Sequence, residues 1–146
     1  MTTPRNTQPH IKPKWQSILS WIMQIAAAVI LLQTLFFKFT GAPEARHIFT
    51  MLHVEPWGRI GTGIAELVVA VLLLIPRTAA IGALAALGLM VGAIMSHLTI
   101  LGIEIKDDGG TLFALAVLVT IASSIVLFIR RREIPIISNK LFPPRA

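Results

Sequence analysis

Glu66 stands near the middle of "RIGTGIAELVVAVLLLIPRT", residues 59–78, a stretch that is otherwise almost wholly apolar. Lys38 closes a second apolar run and His97 a third, while Gln33 precedes Lys38 and Arg59 opens the Glu66 segment. A carboxyl group that meets a cation and an imidazole can move a proton or fix a carbonyl-bearing ligand. Glu66 is therefore the candidate catalytic group, as a proton carrier, and Lys38, His97, Gln33 and Arg59 are the candidate ligand-binding residues. Other chemistries drop out. The chain has no cysteine, which removes disulfides, thiolate metal sites and iron–sulfur clusters. Bis-histidine haem needs two histidines inside facing spans, and of His10, His47, His53 and His97 only His97 lies in one. His47 and His53 are six apart, which matches no helical face for a zinc site. No phosphate-binding glycine loop, dinucleotide fingerprint or nucleophile elbow is present, so no soluble-type enzyme motif supports an activity, and no metal is expected.

The elements that must position these residues are membrane spans. Hydrophobic residues make up 55% of the 146, charged residues only 14%, and the mean hydropathy is +0.77. Soluble domains carry nearer a quarter of charged residues, so the polar surface is too small for water, and a lipid bilayer is the expected partner. The net charge of +6 does not indicate nucleic acid, because the basic residues gather at the two ends. They read as topology signals.

The apolar runs give spans at about 16–38, 58–75, 79–98 and 111–129, within a membrane domain of 15–131. Residues 1–14 and 132–146 are basic, proline-bearing tails. The first run exceeds the apolar core of a signal peptide and is expected to be retained. Between spans one and two, "GAPEARHIFTMLHVEPWG" places Ala45, Ile48, Phe49 and Leu52 at helical spacing, which predicts a short amphipathic surface helix. Nine lysines and arginines fall on the side of the termini and four on the other. The expected fold is an all-α integral membrane four-helix bundle with both termini cytoplasmic.

Glu66 then lies roughly 13 Å below the outer end of its helix. A charge at that depth costs on the order of 2.5–3.5 kcal/mol on insertion scales. Thr62, Gly63 and Ala70 share its face, so it points into the bundle. Gln33, Thr34, Lys38, Ser96, His97 and Arg59 fall in the same outer half, with Asp107 and Asp108 just above it. The inner half offers Gln24, Thr120, Ser123 and Ser124. A polar pocket toward the outer face is expected, and its alternatives are interhelical glue or an interface with another subunit. Gly88, Gly92 and Ser96 form a small-residue stripe that predicts close helix packing.

Three segments together resemble the DoxX-like family of small four-helix bacterial inner-membrane proteins. These are "LLQTLFFKFTGAPEA", "GIAELVVAVLLLIPRTAAIGA" and "LMVGAIMSHL", within about Leu31 to Arg131. The resemblance implies an intramembrane polar cluster of Lys38, Glu66 and His97. It also implies residence in the bacterial cytoplasmic membrane and a link to quinone or oxidative-stress physiology. The expected function is an accessory subunit of a quinone-linked redox process, with a bound quinone as its cofactor. Other membrane redox subunits or further copies of the chain are its protein partners. The alternative is a non-catalytic scaffold or assembly factor whose polar cluster is structural. A small proton-coupled transporter is the third reading, and the sequence shows neither inverted repeat nor broken helix for it.

Overall fold

Inside lipid a backbone finds no water, so each peptide group must be paired within its own segment, and helices do this. The computed structural model describes residues 13–133, and these form helices and their connections with no strand among them. The two basic tails, and the cytoplasmic placement expected for the termini, fall outside the described residues apart from positions 13, 14, 132 and 133.

Helix α1 spans Lys14–Thr40, α2 Pro43–Met51, α3 Trp57–Leu74, α4 Ala79–Ser96 and α5 Thr111–Arg130. A single π-helical turn, His97–Leu101, prolongs α4, and a 3₁₀ turn, Arg131–Glu133, follows α5. Among the described residues, four helices are long and apolar enough to cross a membrane: α1, α3, α5, and α4 with its π turn. The third span thus runs to Leu101, past the expected end near 98. Leu98, Ile100 and Leu101 extend its apolar run, and Gly102 ends it at φ +80°.

The connections follow from local chemistry. Gly41 takes the left-handed conformation at φ +67°, which lets its N–H and that of Ala42 donate to the carbonyls of Lys38 and Phe37. Pro43 starts α2 two residues later, where its missing N–H costs nothing. Ile75 is extended ahead of Pro76, as the proline ring requires, and the Thr78 hydroxyl donates to the Leu72 carbonyl at 2.9 Å to close the turn.

Around the bundle the order is α1, α3, α4, α5, each helix packing against the next and α5 against α1. Helices α1 and α4 therefore face each other across the diagonal. Helix α2 lies over the end that carries Lys38, packed on α1, α3 and the π turn. Its predicted apolar stripe turns toward the bundle, with Ala45 and Phe49 buried and Ile48 and Leu52 half-buried.

The core is made largely of small residues: Ala27, Ala28, Ala70, Ala83, Ala86, Ala116 and Ala122 beside Leu31, Leu73, Val119 and Val126. The bulky apolar residues point outward, among them Ile18, Ile22, Phe36, Val68, Leu84 and Phe128. An apolar exterior around an alanine-rich interior is the arrangement of a bundle bathed in lipid, where close backbone approach rather than hydrophobic burial drives packing. The closest approach of another helix's backbone to a glycine is at Gly82, where an added Cβ would lie 2.7 Å from the Leu73 nitrogen. The predicted Gly88/Gly92 stripe behaves otherwise: a Cβ at either position would meet nothing within 4 Å. These glycines border open space instead of a neighbouring helix.

That contrast is measurable. Gly82→Ala should lower stability in detergent by about 1–3 kcal/mol through overpacking, and Gly88→Ala should leave it unchanged or slightly raised. Equal unfolding midpoints for the two variants would contradict the placement of Gly82.

Candidate functional site

Thr34 and Lys38 are one turn apart on α1 and so share the face turned to α3. Opposite them, Lys38 Nζ donates to Glu66 Oε1 at 2.8 Å and to Oε2 at 2.7 Å. The Thr34 hydroxyl is 2.9 Å from Oε2 and 2.8 Å from the Leu31 carbonyl of its own helix. Glu66 is 7% exposed, so the carboxylate is held almost entirely by these groups. Gly63, three residues before Glu66, lets the Phe39 ring come within 3.3 Å of where its Cβ would be. The pair neutralises itself, which is what allows two charges to remain at this depth.

Beside the pair lies a cavity of about 450 Å³. Its wall is mostly apolar, with Leu31, Phe49, Leu89, Met90, Ala116 and Val119, and it includes Thr34, Lys38, Glu66 and His97. Gly88 and Gly92 also line it, and this is the open space beside their Cα atoms. The volume is within the range of small-molecule sites, roughly 300–1,000 Å³.

His97 reaches this cavity from the opposite corner of the bundle. It does not bond to Lys38 or Glu66: its Nδ1 donates to the Gly102 carbonyl at 2.8 Å, and its ring meets Phe113 edge-on at 5.6 Å. A carbonyl only accepts, so the proton sits on Nδ1, and in the neutral ring Nε2 is left as the acceptor. The π turn supplies this geometry by swinging Gly102 back over the histidine.

Asp108 secures the same end. Its Oδ1 accepts from the backbone N–H groups of Ile105 (2.8 Å) and Gly110 (2.9 Å), and Oδ2 from Leu112 (3.0 Å). Partial burial pushes its pKa up, but the three backbone N–H groups and nearby His97 outweigh this and hold it below the ordinary carboxyl value.

Two expected ligand residues are placed elsewhere. Arg59 lines neither this cavity nor its neighbour: its Nε donates to Glu55 at 2.9 and 3.0 Å, and its Nη1 donates to the Lys38 carbonyl. It thus satisfies a carbonyl in the last turn of α1 and steadies Lys38 through the backbone. Gln33 is exposed and lines a second cavity, of about 380 Å³, between α1, α2 and α5.

Residues 22–124 match the DoxX-like family. The chain belongs to the DoxX-like family. The matched region includes Lys38, Glu66 and His97, and neither a curated protein nor a solved structure matches the chain. With its four apolar helices, this DoxX-like protein is a multi-pass membrane protein.

Sequence reasoning missed a second polar cluster, at the far end of the DoxX-like bundle. Arg130 turns inward: its Nε donates to Ser20 Oγ at 2.8 Å, and its Nη1 to the Pro76 carbonyl at 2.8 Å and to Glu133 at 3.2 Å. The Gln24 amide donates to the Ser20 hydroxyl and carbonyl. One guanidinium thus joins α1, the α3–α4 turn and α5. Taken only as part of a basic run, Arg130 reads as a topology signal. The missed signal was its place in the series Ala116, Val119, Ser123, Val126, Arg130, the buried stripe of α5.

Removing one partner of the central pair strands a charge in a poorly solvated place. Lys38→Met should therefore destabilise the protein by about 3 kcal/mol, and the double variant Lys38→Met/Glu66→Leu should recover at least half of that in unfolding titrations in mixed micelles. At the Asp108 cap, Asp108→Ala should cost about 1–2 kcal/mol at neutral pH. The pKa of Asp108 is depressed in the folded state, so its stabilisation is complete above the unfolded value and drains as pH falls through the folded one. The gap between wild type and Asp108→Ala should accordingly close below about pH 4, read as melting temperature against pH.

Proposed function

We propose that this DoxX-like protein serves a quinone-linked redox process in the bacterial cytoplasmic membrane as an accessory subunit, with both termini cytoplasmic. The cavity beside Lys38 and Glu66 is the site of the quinone head. The observation that carries the reading is a cavity at membrane depth whose apolar wall bears a lysine–glutamate pair and a histidine. The donor set suits such a head. Both of Lys38's hydrogen bonds go to Glu66, so a three-proton ammonium keeps an N–H for a carbonyl oxygen. Lys38 balances Glu66 and Arg59 balances Glu55, so the surroundings favour a neutral guest.

A quinone would supply a two-electron, two-proton acceptor, with electrons coming from a reduced centre in a partner subunit. The chain's own residues handle protons. When Lys38 turns its N–H groups toward a ligand oxygen, the Glu66 carboxylate is released to accept a proton and pass it on. His97, fixed through Nδ1, presents Nε2 as a second proton-accepting nitrogen.

The scaffold reading has its own support, because Glu66 is already held by Lys38 and Thr34 with no ligand needed. Bound quinone separates the two. Wild-type protein purified in mild detergent should carry close to one quinone per chain after extraction, and Glu66→Gln at least tenfold less while still eluting as a monodisperse species. Equal, background-level quinone in both would leave the scaffold reading.

A further inference from the structure

The two cavities at the Lys38 end are not separate. Thr34, Lys38, Ile48, Phe49, Leu112 and Leu115 line both. Helix α2 roofs this end by packing on α1, α3 and the π turn, and it has no comparable packing on α5. The second cavity lies at the edge of that roof, between α1 and α5, with Glu44, Ala45, Ile48 and Phe49 of α2 along its upper side. At their other ends the same two helices are joined, Arg130 to Ser20. The pair is therefore pinned at one end and parted at the other.

The parting lies within the membrane-spanning part of α1. Gln33 is seven residues before the end of α1, about 10 Å along the axis at 1.5 Å per residue. Exposed Phe37 and half-buried Leu112 and Leu115 flank the gap and give it apolar sides, while Glu44, Asp108 and Thr111 line its end toward α2 and the loop before α5. At the inner end of the gap stand Lys38 and Thr34, already engaged with Glu66.

From this geometry we infer that the gap between α1 and α5 is a lateral portal, and that the ligand is a tailed amphiphile taken from the bilayer and not a water-soluble molecule arriving at the bundle end. Its neutral, carbonyl-bearing head reaches Lys38, and its apolar tail stays in the gap against Phe37 and Leu115 and extends into lipid. This rests on the quinone reading above and deepens it. Three observations select a tailed guest. Helix α2 roofs the bundle end over α1, α3 and the π turn, the gap runs along the membrane-spanning part of α1, and Phe37, Leu112 and Leu115 give it apolar flanks there. Charge balance selects a neutral head over an anionic phospholipid head, since the paired cations offer no net attraction to an anion.

The test is photo-crosslinking in nanodiscs with a benzoquinone whose decyl tail ends in a diazirine, the labelled residues being mapped by mass spectrometry. A tailless benzoquinone serves as competitor. Crosslinks should fall on α1 and α5 near Phe37 and Leu115. The decyl compound should bind at least tenfold more tightly than the tailless one. Gln33→Trp, which adds bulk at the exposed side of the gap within the span, should cut binding of the tailed compound by at least fivefold and leave the tailless one unchanged. Specific binding with crosslinks on the outer faces of α3 and α4, or equal affinity with and without the tail, overturns the portal and leaves the quinone site standing. Binding of both compounds no better than to Glu66→Gln overturns both. A phospholipid that co-purifies in the gap and is not displaced by the decyl compound also overturns the portal.

Discussion

A carboxylate at membrane depth cannot be left alone. Lipid offers it neither water nor counter-ion, and the cost of its charge exceeds what one favourable packing contact returns. Glu66 resolves this by facing Lys38 across the α1–α3 contact, with Thr34 supplying a further hydrogen bond. Much of the surrounding structure serves that pair. Gly63 lets α1 come close enough for the reach, Gly41 turns the chain just after Lys38, and Arg59 takes up the Lys38 carbonyl while Glu55 balances its charge.

The bundle applies the same rule at its other end. Arg130 lies inside the ring of helices because Ser20, the Pro76 carbonyl and Glu133 absorb its donors. The two ends differ in consequence. Around Arg130 the helices are drawn together, and the described structure gives Gln24 Oε1 and Ser123 Oγ no hydrogen-bond partner in that tightly packed half. Around Lys38 the helices part, α2 covers most of the end, and Gly88 and Gly92 deepen the space beneath it. Small residues thus do opposite work in one bundle: at Gly82 they admit a neighbouring backbone, and at Gly88 and Gly92 they leave room.

Helix α2 and the π turn complete the contrast. An amphipathic segment between two spans would ordinarily rest on lipid headgroups. Here its apolar stripe is spent on the bundle's own end, with Ala45 and Phe49 buried. The π turn wraps Gly102 onto His97 and brings the loop to Asp108, which caps α5. His97 is consequently a fixed part of the cavity wall, oriented by a backbone carbonyl and Phe113, and not a third member of the ion pair.

Much of this was legible in the residues alone. Four long apolar runs and a shortage of charge dictate a membrane bundle, because hydropathy and span length are local properties of a chain. The small face shared by Thr62, Gly63 and Ala70 likewise settles that Glu66 turns inward, since helical periodicity is local too. Only the tertiary structure decided who stands next to whom. Nothing along the chain says that α1 borders α3 and α5 and faces α4 across the diagonal, so the pairing of Glu66 with Lys38 and the separate anchoring of His97 were not readable there. The same holds for Arg59 and Arg130, whose guanidinium groups are long enough to choose among several partners. It holds for the glycine stripe as well, because three small residues four apart permit a close approach without saying whether a helix, or a cavity, takes the space.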